Sequence, residues 1–110
     1  MAEADIGQRD HHRAVAPSAD VQTAALSQRH GNVLVITINR PEARNAVNGA
    51  VSTAVGDSLQ LAEDDPEVGA VVITGAGEKS FCAGADLKAI SRGENLYHPD
   101  HEEWKFAGYV

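Results

Sequence analysis

Residues 70–88 decide most of what this chain can become. The run Ala70-Val71-Val72-Ile73 is unbroken apolar sequence rich in β-branched residues, which reads as a buried strand. It stops at Thr74-Gly75-Ala76-Gly77, where the glycines release the backbone into a loop. Phe81-Cys82-Ala83-Gly84-Ala85 then leads small side chains up to a helix that starts near Asp86. Small residues there let a ligand approach the main chain itself. The N–H groups from Ala85 to Leu87, at the start of a helix, are expected to lack acceptors within it and to suit an anionic oxygen. In outline this is an oxyanion-binding loop.

The rest of the chain supplies a frame for that loop. Val21 to Gln28 and Val33 to Asn39 read as two strands joined around His30-Gly31-Asn32, a turn-forming cluster. In the second strand Leu34, Ile36 and Ile38 point one way and Val33, Val35 and Thr37 the other, so both faces are expected to be covered. Pro41 ends this strand because it has no N–H for the ladder. Asn45 or Asn48 can cap a helix whose apolar stripe runs Val47, Ala50, Val51, Ala54, Val55, Leu59, Ala62, and Asp64-Asp65-Pro66 ends it. The strand over residues 68–74 is then parallel to the Val33 strand, and the class is α/β. A short helix from Asp86 to Arg92 is closed by Gly93, and Pro99 opens a last helix through Tyr109 with Trp104, Ala107 and Val110 as its buried stripe.

A formal charge of −7 excludes nucleic acid and anionic membrane as main partners. One cysteine makes no internal disulfide, which fits a reducing cytoplasm. No stretch reaches the ~20 apolar residues of a membrane span. Residues 1–20 show no structural period and carry Glu3, Asp5, Asp10 and Asp20; they read as a flexible tail rather than a targeting peptide.

Two segments in order resemble the crotonase (enoyl-CoA hydratase/isomerase) superfamily. One is the strand with Thr74-Gly75-Ala76-Gly77 and Phe81-Cys82-Ala83-Gly84-Ala85-Asp86-Leu87-Lys88; the other is Ile38-Asn39-Arg40-Pro41-Glu42-Ala43-Arg44-Asn45-Ala46-Val47-Asn48. Together they cover roughly residues 22–92. The resemblance implies the N-terminal portion of a ββα spiral fold, incomplete here, with residues 21–110 as the N-terminal part of an acyl-CoA-binding domain. It implies an acyl-CoA substrate, no cofactor beyond the coenzyme A of that substrate, and a trimer-based homo-oligomer at full length. By the motif match the Ala85 N–H is an oxyanion-hole donor to the thioester oxygen. Arg44, Ala46, Ala83, Ala85, Asp86, Leu87 and Lys88 line the coenzyme A site, with Arg92 a further basic group near its phosphates.

The departure from the family is an absence. The second oxyanion donor, a glycine in a later Gly-rich segment, has no counterpart in this sequence, nor do the acid/base carboxylates. The chain ends on apolar Val110 with a sheet edge expected to be open, so it reads as the first part of a larger domain. The alternative is a catalytically inactive acyl-CoA-binding or subunit-interaction module. Other chemistries fit less well. Cys82 sits between Phe81 and Ala83 without a base beside it and reads as a packed side chain. His98 and His101 have helical spacing, but Pro99 intervenes; His11-His12 lacks further ligands, and no metal is expected. Gly75-Ala76-Gly77 fails as a dinucleotide fingerprint because Phe81-Cys82-Ala83-Gly84 stands where the helix should begin.

Overall fold

The computed structural model describes residues 19–108. Most of the expected tail, His11-His12, Tyr109 and Val110 lie outside them. Helix α1 (Ala19–Ala24) leads directly into strand β1 (Ala25–His30), so the strand expected from Val21 begins as a helix. It packs on the later long helix, with Ala24 buried, and that contact outweighs a local pattern in which Asp20, Val21 and Thr23 are weak helix formers. Asn39 holds the junction, its N–H and side-chain amide donating to the Ala24 and Thr23 carbonyls at 2.8 and 3.1 Å.

Strand β2 (Val33–Ile38) pairs antiparallel with β1 from His30 opposite Val33 to Ala25 opposite Ile38. The loop between them is Gly31 and Asn32, with Gly31 at φ 64°, a conformation that a two-residue hairpin with glycine first requires. Helix α2 (Gly49–Asp64) then crosses to strand β3 (Ala70–Gly75), which runs parallel to β2. Asn48 caps α2, its Oδ1 accepting the Val51 N–H at 3.0 Å. The sheet order is β1-β2-β3.

The core lies between one face of β2 and α2. Leu34, Ile36 and Ile38 meet Val51, Ala54, Val55 and Ala62, four residues of the expected stripe. The other face of β2 departs from expectation: Val33, Val35 and Thr37 are only half-buried. The register sets Val72 beside Val35 and Leu26 beside Thr37 on that same face, and Val72 and Leu26 are each 47% exposed. Strand β3 is likewise not the buried strand its apolar run suggested, since Ala70, Val71 and Val72 are all exposed. Among the described residues it has a neighbour on one side only, and α2 packs over β1 and β2 rather than over β3.

Helix α3 (Leu87–Ser91) starts from Asp86 and ends on Gly93 at φ 73°. The Gly93 and Glu94 N–H groups turn back to the Ile90 and Ala89 carbonyls, closing the helix as glycine termination requires. The expected helix from Pro99 does not form. Short 3₁₀ turns at Glu102–Trp104 and Phe106–Gly108 replace it, separated by Lys105 at φ 61°. Phe106 and Ala107 both pack inward against the core.

Ile36 is fully buried at the centre of this sheet. Ile36→Ala should lower the free energy of unfolding by about 2–5 kcal/mol, read from urea denaturation. A loss under about 1 kcal/mol would mean that the β2–α2 core is not closed.

Candidate active site

Two extended segments lie side by side at one end of the sheet. The Ala83 N–H donates to the Arg44 carbonyl at 3.0 Å, the Val47 N–H to Gly84 at 2.7 Å, and the Asp86 N–H to Val47 at 2.8 Å. Val47 and Ala85 thereby form a single parallel bridge outside the main sheet. In a parallel bridge one residue, here Val47, makes both bonds with its own N–H and carbonyl to the two neighbours of its partner, so the partner's own N–H, that of Ala85, points the other way. Among the described residues the Ala85 N–H accordingly has no acceptor, and neither has that of Leu87. The expected row of open donors from Ala85 to Leu87 is thus interrupted, because Asp86 spends its N–H on holding the ladder.

The sequence explains how the two segments meet. Arg44 and Asn45 both take positive φ, 55° and 58°, reversing the chain after β2. Asn45 is fully buried and clamps the reversal. Its Oδ1 accepts the Arg40 N–H at 2.9 Å, and its Nδ2 donates to the Ala76 and Ser80 carbonyls at 2.9 and 3.0 Å. Gly75 is required beneath it: a Cβ there would collide with the Phe81 carbonyl oxygen and come within 2.7 Å of Asn45 Nδ2.

Asp86 faces inward. Its Oδ1 accepts the Ala89 N–H at 3.1 Å, capping α3, and its Oδ2 pairs with Arg40 Nη1 at 2.9 Å. The Ala89 N–H, and after it the Arg40 guanidinium, hold the Asp86 carboxyl below the usual aspartate range, against burial that pushes it up. The same Arg40 nitrogen donates to the Ala46 carbonyl at 2.7 Å.

The structure brings Arg44, Ala46, Ala83, Ala85, Asp86, Leu87 and Lys88 together across the ladder and the first turn of α3. Their exposures differ. Ala46 and Asp86 are buried; Arg44, Ala83 and Lys88 are exposed; Leu87 stands 76% exposed. Arg92 is engaged elsewhere, with Glu94 at 2.7 Å. A cavity of about 510 Å³ opens between residues 41–45 and 76–80, with Arg44 and Lys79 on its walls beside Glu42 and Glu78. Neither Arg44 nor Lys79 has an ion-pair partner among the described residues. Lys79 was not legible as a site residue, since nothing periodic marks Glu78-Lys79-Ser80. Arg40 had a signal: it is the one charged residue in the stretch 33–41.

Elsewhere, Cys82 packs against the core, and His98 and His101 meet edge to face, with both His98 nitrogens and His101 Nδ1 bonded within the chain. His98 Nε2 meets Asp57 at 2.9 Å, its Nδ1 accepts the Asp100 N–H at 3.0 Å, and His101 stacks on Trp104. No group of three or more His, Cys, Asp or Glu residues is arranged to hold a metal among the described residues.

The enoyl-CoA hydratase/isomerase family model matches residues 28–107, most of the chain and both walls of the ladder. The chain belongs to the enoyl-CoA hydratase/isomerase family. The carnitinyl-CoA hydratase of Mycobacterium avium is 76% identical with a TM-score of 0.78, aligned over 80% of this chain and 34% of that one. A probable enoyl-CoA hydratase of Mycobacterium tuberculosis is 53% identical over 62 residues, 56% of this chain and 24% of the relative. The carnitinyl-CoA dehydratase of Salmonella arizonae is 48% identical over 66 residues, 60% and 25% of the two chains. The match thus spans between a quarter and about a third of these family members. The small α/β fold seen here is that portion of the crotonase fold.

A depressed aspartate contributes stability above its unfolded pKa and loses it as pH falls through the folded value. Asp86→Asn should therefore cost stability at pH 7, and the gap from wild type should shrink as pH drops below 3.8. Urea titrations between pH 7 and pH 2.5 check this; a gap that does not change with pH refutes the charged pair.

Proposed function

We propose that this chain is the part of an enoyl-CoA hydratase-type enzyme that binds the acyl-CoA thioester and supplies the first oxyanion donor. The observation that carries this reading is the Ala85 N–H, directed away from the ladder and without an acceptor among the described residues. A thioester oxygen placed there receives a preorganised hydrogen bond, which strengthens as negative charge builds on the enolate. The Ala83 carbonyl is also open among the described residues and is available to a donor edge such as an adenine amino group. Arg44 and Lys79, without ion-pair partners among the described residues and lining the neighbouring cavity, are the cations we assign to phosphate oxygens, with exposed Lys88 as a third.

The relatives named above as carnitinyl-CoA enzymes favour hydration or dehydration of a CoA thioester over the family's other chemistries. Proton transfer needs a free carboxylate, and Asp86, the nearest in sequence, is spent on Arg40 and α3. The chain by itself is expected to bind acyl-CoA without turning it over. We further propose a trimer-based homo-oligomer for the full-length protein. A second reading, a non-catalytic interaction module, is favoured by the open β3 edge and the exposed Leu26 and Val72.

Removing the donor alone is the direct test. Cys82 permits ligation of a synthetic 82–110 segment in which lactate replaces Ala85, changing one amide to an ester. Calorimetry with an enoyl-CoA and with free coenzyme A should show that only the thioester's advantage is lost. Equal affinities in wild type and the ester form would overturn the donor role. Hydration of an enoyl-CoA by the chain alone, followed by loss of enoyl absorbance, should stay at background; steady turnover would show that the chemistry is complete within it.

A further inference from the structure

We propose that Arg40 is a positioning residue for the Ala85 amide, an inference that rests on the oxyanion reading above. One guanidinium nitrogen reaches across both walls of the ladder, to the Ala46 carbonyl at 2.7 Å and to Asp86 Oδ2 at 2.9 Å. Ala46 and Asp86 adjoin Val47 and Ala85, the bridged pair, so this contact sets the separation of the walls beside the amide itself. The arrangement is shielded, with the Arg40 side chain 20% exposed and that of Asp86 9%.

Arg40 is itself pinned at the end of β2. Its N–H donates to Asn45 Oδ1 at 2.9 Å, and its carbonyl accepts the Asn45 N–H at 2.8 Å. Asn45 thus fixes the Arg40 backbone, the Arg40 guanidinium fixes Asp86, and Asp86 fixes both the Ala85–Asp86 peptide and the start of α3. Charge matters as well as length: a guanidinium offers several rigidly directed N–H groups, whereas an ammonium is a point donor on a shorter, flexible stem. Without Arg40, Asp86 retains its main-chain bond to Val47 and its bond to Ala89 but loses its side-chain tether to the opposite wall.

The test uses the full 110-residue chain and an enoyl-CoA labelled with ¹³C at the thioester carbonyl. Infrared difference spectra report polarisation of that carbonyl, and calorimetry reports affinity for the enoyl-CoA and for free coenzyme A. In wild type the carbonyl band should move to lower frequency on binding. In Arg40→Met the shift should fall by more than half and the preference for enoyl-CoA over coenzyme A should fall about tenfold, short of the ~10²-fold that a full ångström of misplacement costs. Affinity for free coenzyme A should stay within about twofold, a separation that general loss of structure would not produce. Should Arg40→Met fail to fold, Arg40→Lys, which keeps the charge but on a shorter, flexible stem, takes its place. A reduced shift with unchanged coenzyme A affinity supports the proposal, and a full wild-type shift in either overturns it. Wild type that neither binds enoyl-CoA nor shifts its carbonyl defeats the oxyanion reading instead.

Discussion

Three backbone hydrogen bonds between residues 44–47 and 83–86 hold the rest of this structure in its meaning. They join the end of β2 to the start of α3 by a ladder only one bridge long, and every group proposed to touch a ligand lies on or beside it. A ladder this short has little stability of its own, since isolated strand pairs are marginal in water. It is held by polar groups taken out of solvent: Asn45 on one side, Arg40 and Asp86 on the other. Buried polar groups contribute specificity of this kind only when all their partners are present, because an orphaned one costs about 1–3 kcal/mol. Here Asn45 and the Asp86 carboxylate are bonded through both their polar atoms, and one Arg40 nitrogen serves both walls. The consequence is a main-chain donor left open by geometry rather than by neglect.

Helix and strand were legible where period and punctuation agreed. The stripe of α2 survived almost residue for residue, and Gly31, Gly93 and Asn48 did what their residue types require. The errors share a cause. Local pattern reads Val21 to Ala24 as strand and the segment after Pro99 as helix, but α1 is decided by packing on α2 and the last described segment by Phe106 and Ala107 reaching the core. Tertiary contacts of that sort override propensities worth only tenths of a kcal/mol per residue. In the site, the small residues before Asp86 announced an open amide. What no local pattern disclosed was that Asp86 would spend its N–H on Val47 and its carboxylate on a residue forty-six positions earlier, Arg40.

Burial gives a second kind of information. The apolar residues of β3 and the outer face of β2 are composed for an interior, yet in this chain they are half-buried or exposed. The register shows why this is one surface rather than scattered exceptions: Val35 and Val72 are directly paired, as are Leu26 and Thr37. Parallel strands of this composition are found with both faces covered. In relatives to which this chain corresponds over only about a third of the length, two-thirds of the polypeptide lies outside the match. The mismatch between composition and exposure at β3 is therefore the physical counterpart of the partial match.

The same division runs through the chemistry. An enolate-forming site needs donors at the oxygen and a base at the carbon, and these make opposite demands on their surroundings. A donor must be rigid before the reaction begins, since its value lies in needing no reorganisation. A base must have an uncommitted lone pair within reach of the proton. In the proposed site Asp86 serves the first demand by being committed: it is fixed by Arg40 and Ala89, and its pKa is held down rather than raised toward neutrality. What makes Asp86 a good anchor for the Ala85 amide makes it a poor proton acceptor. A side chain that takes the proton must come from residues with no structural duty in this ladder.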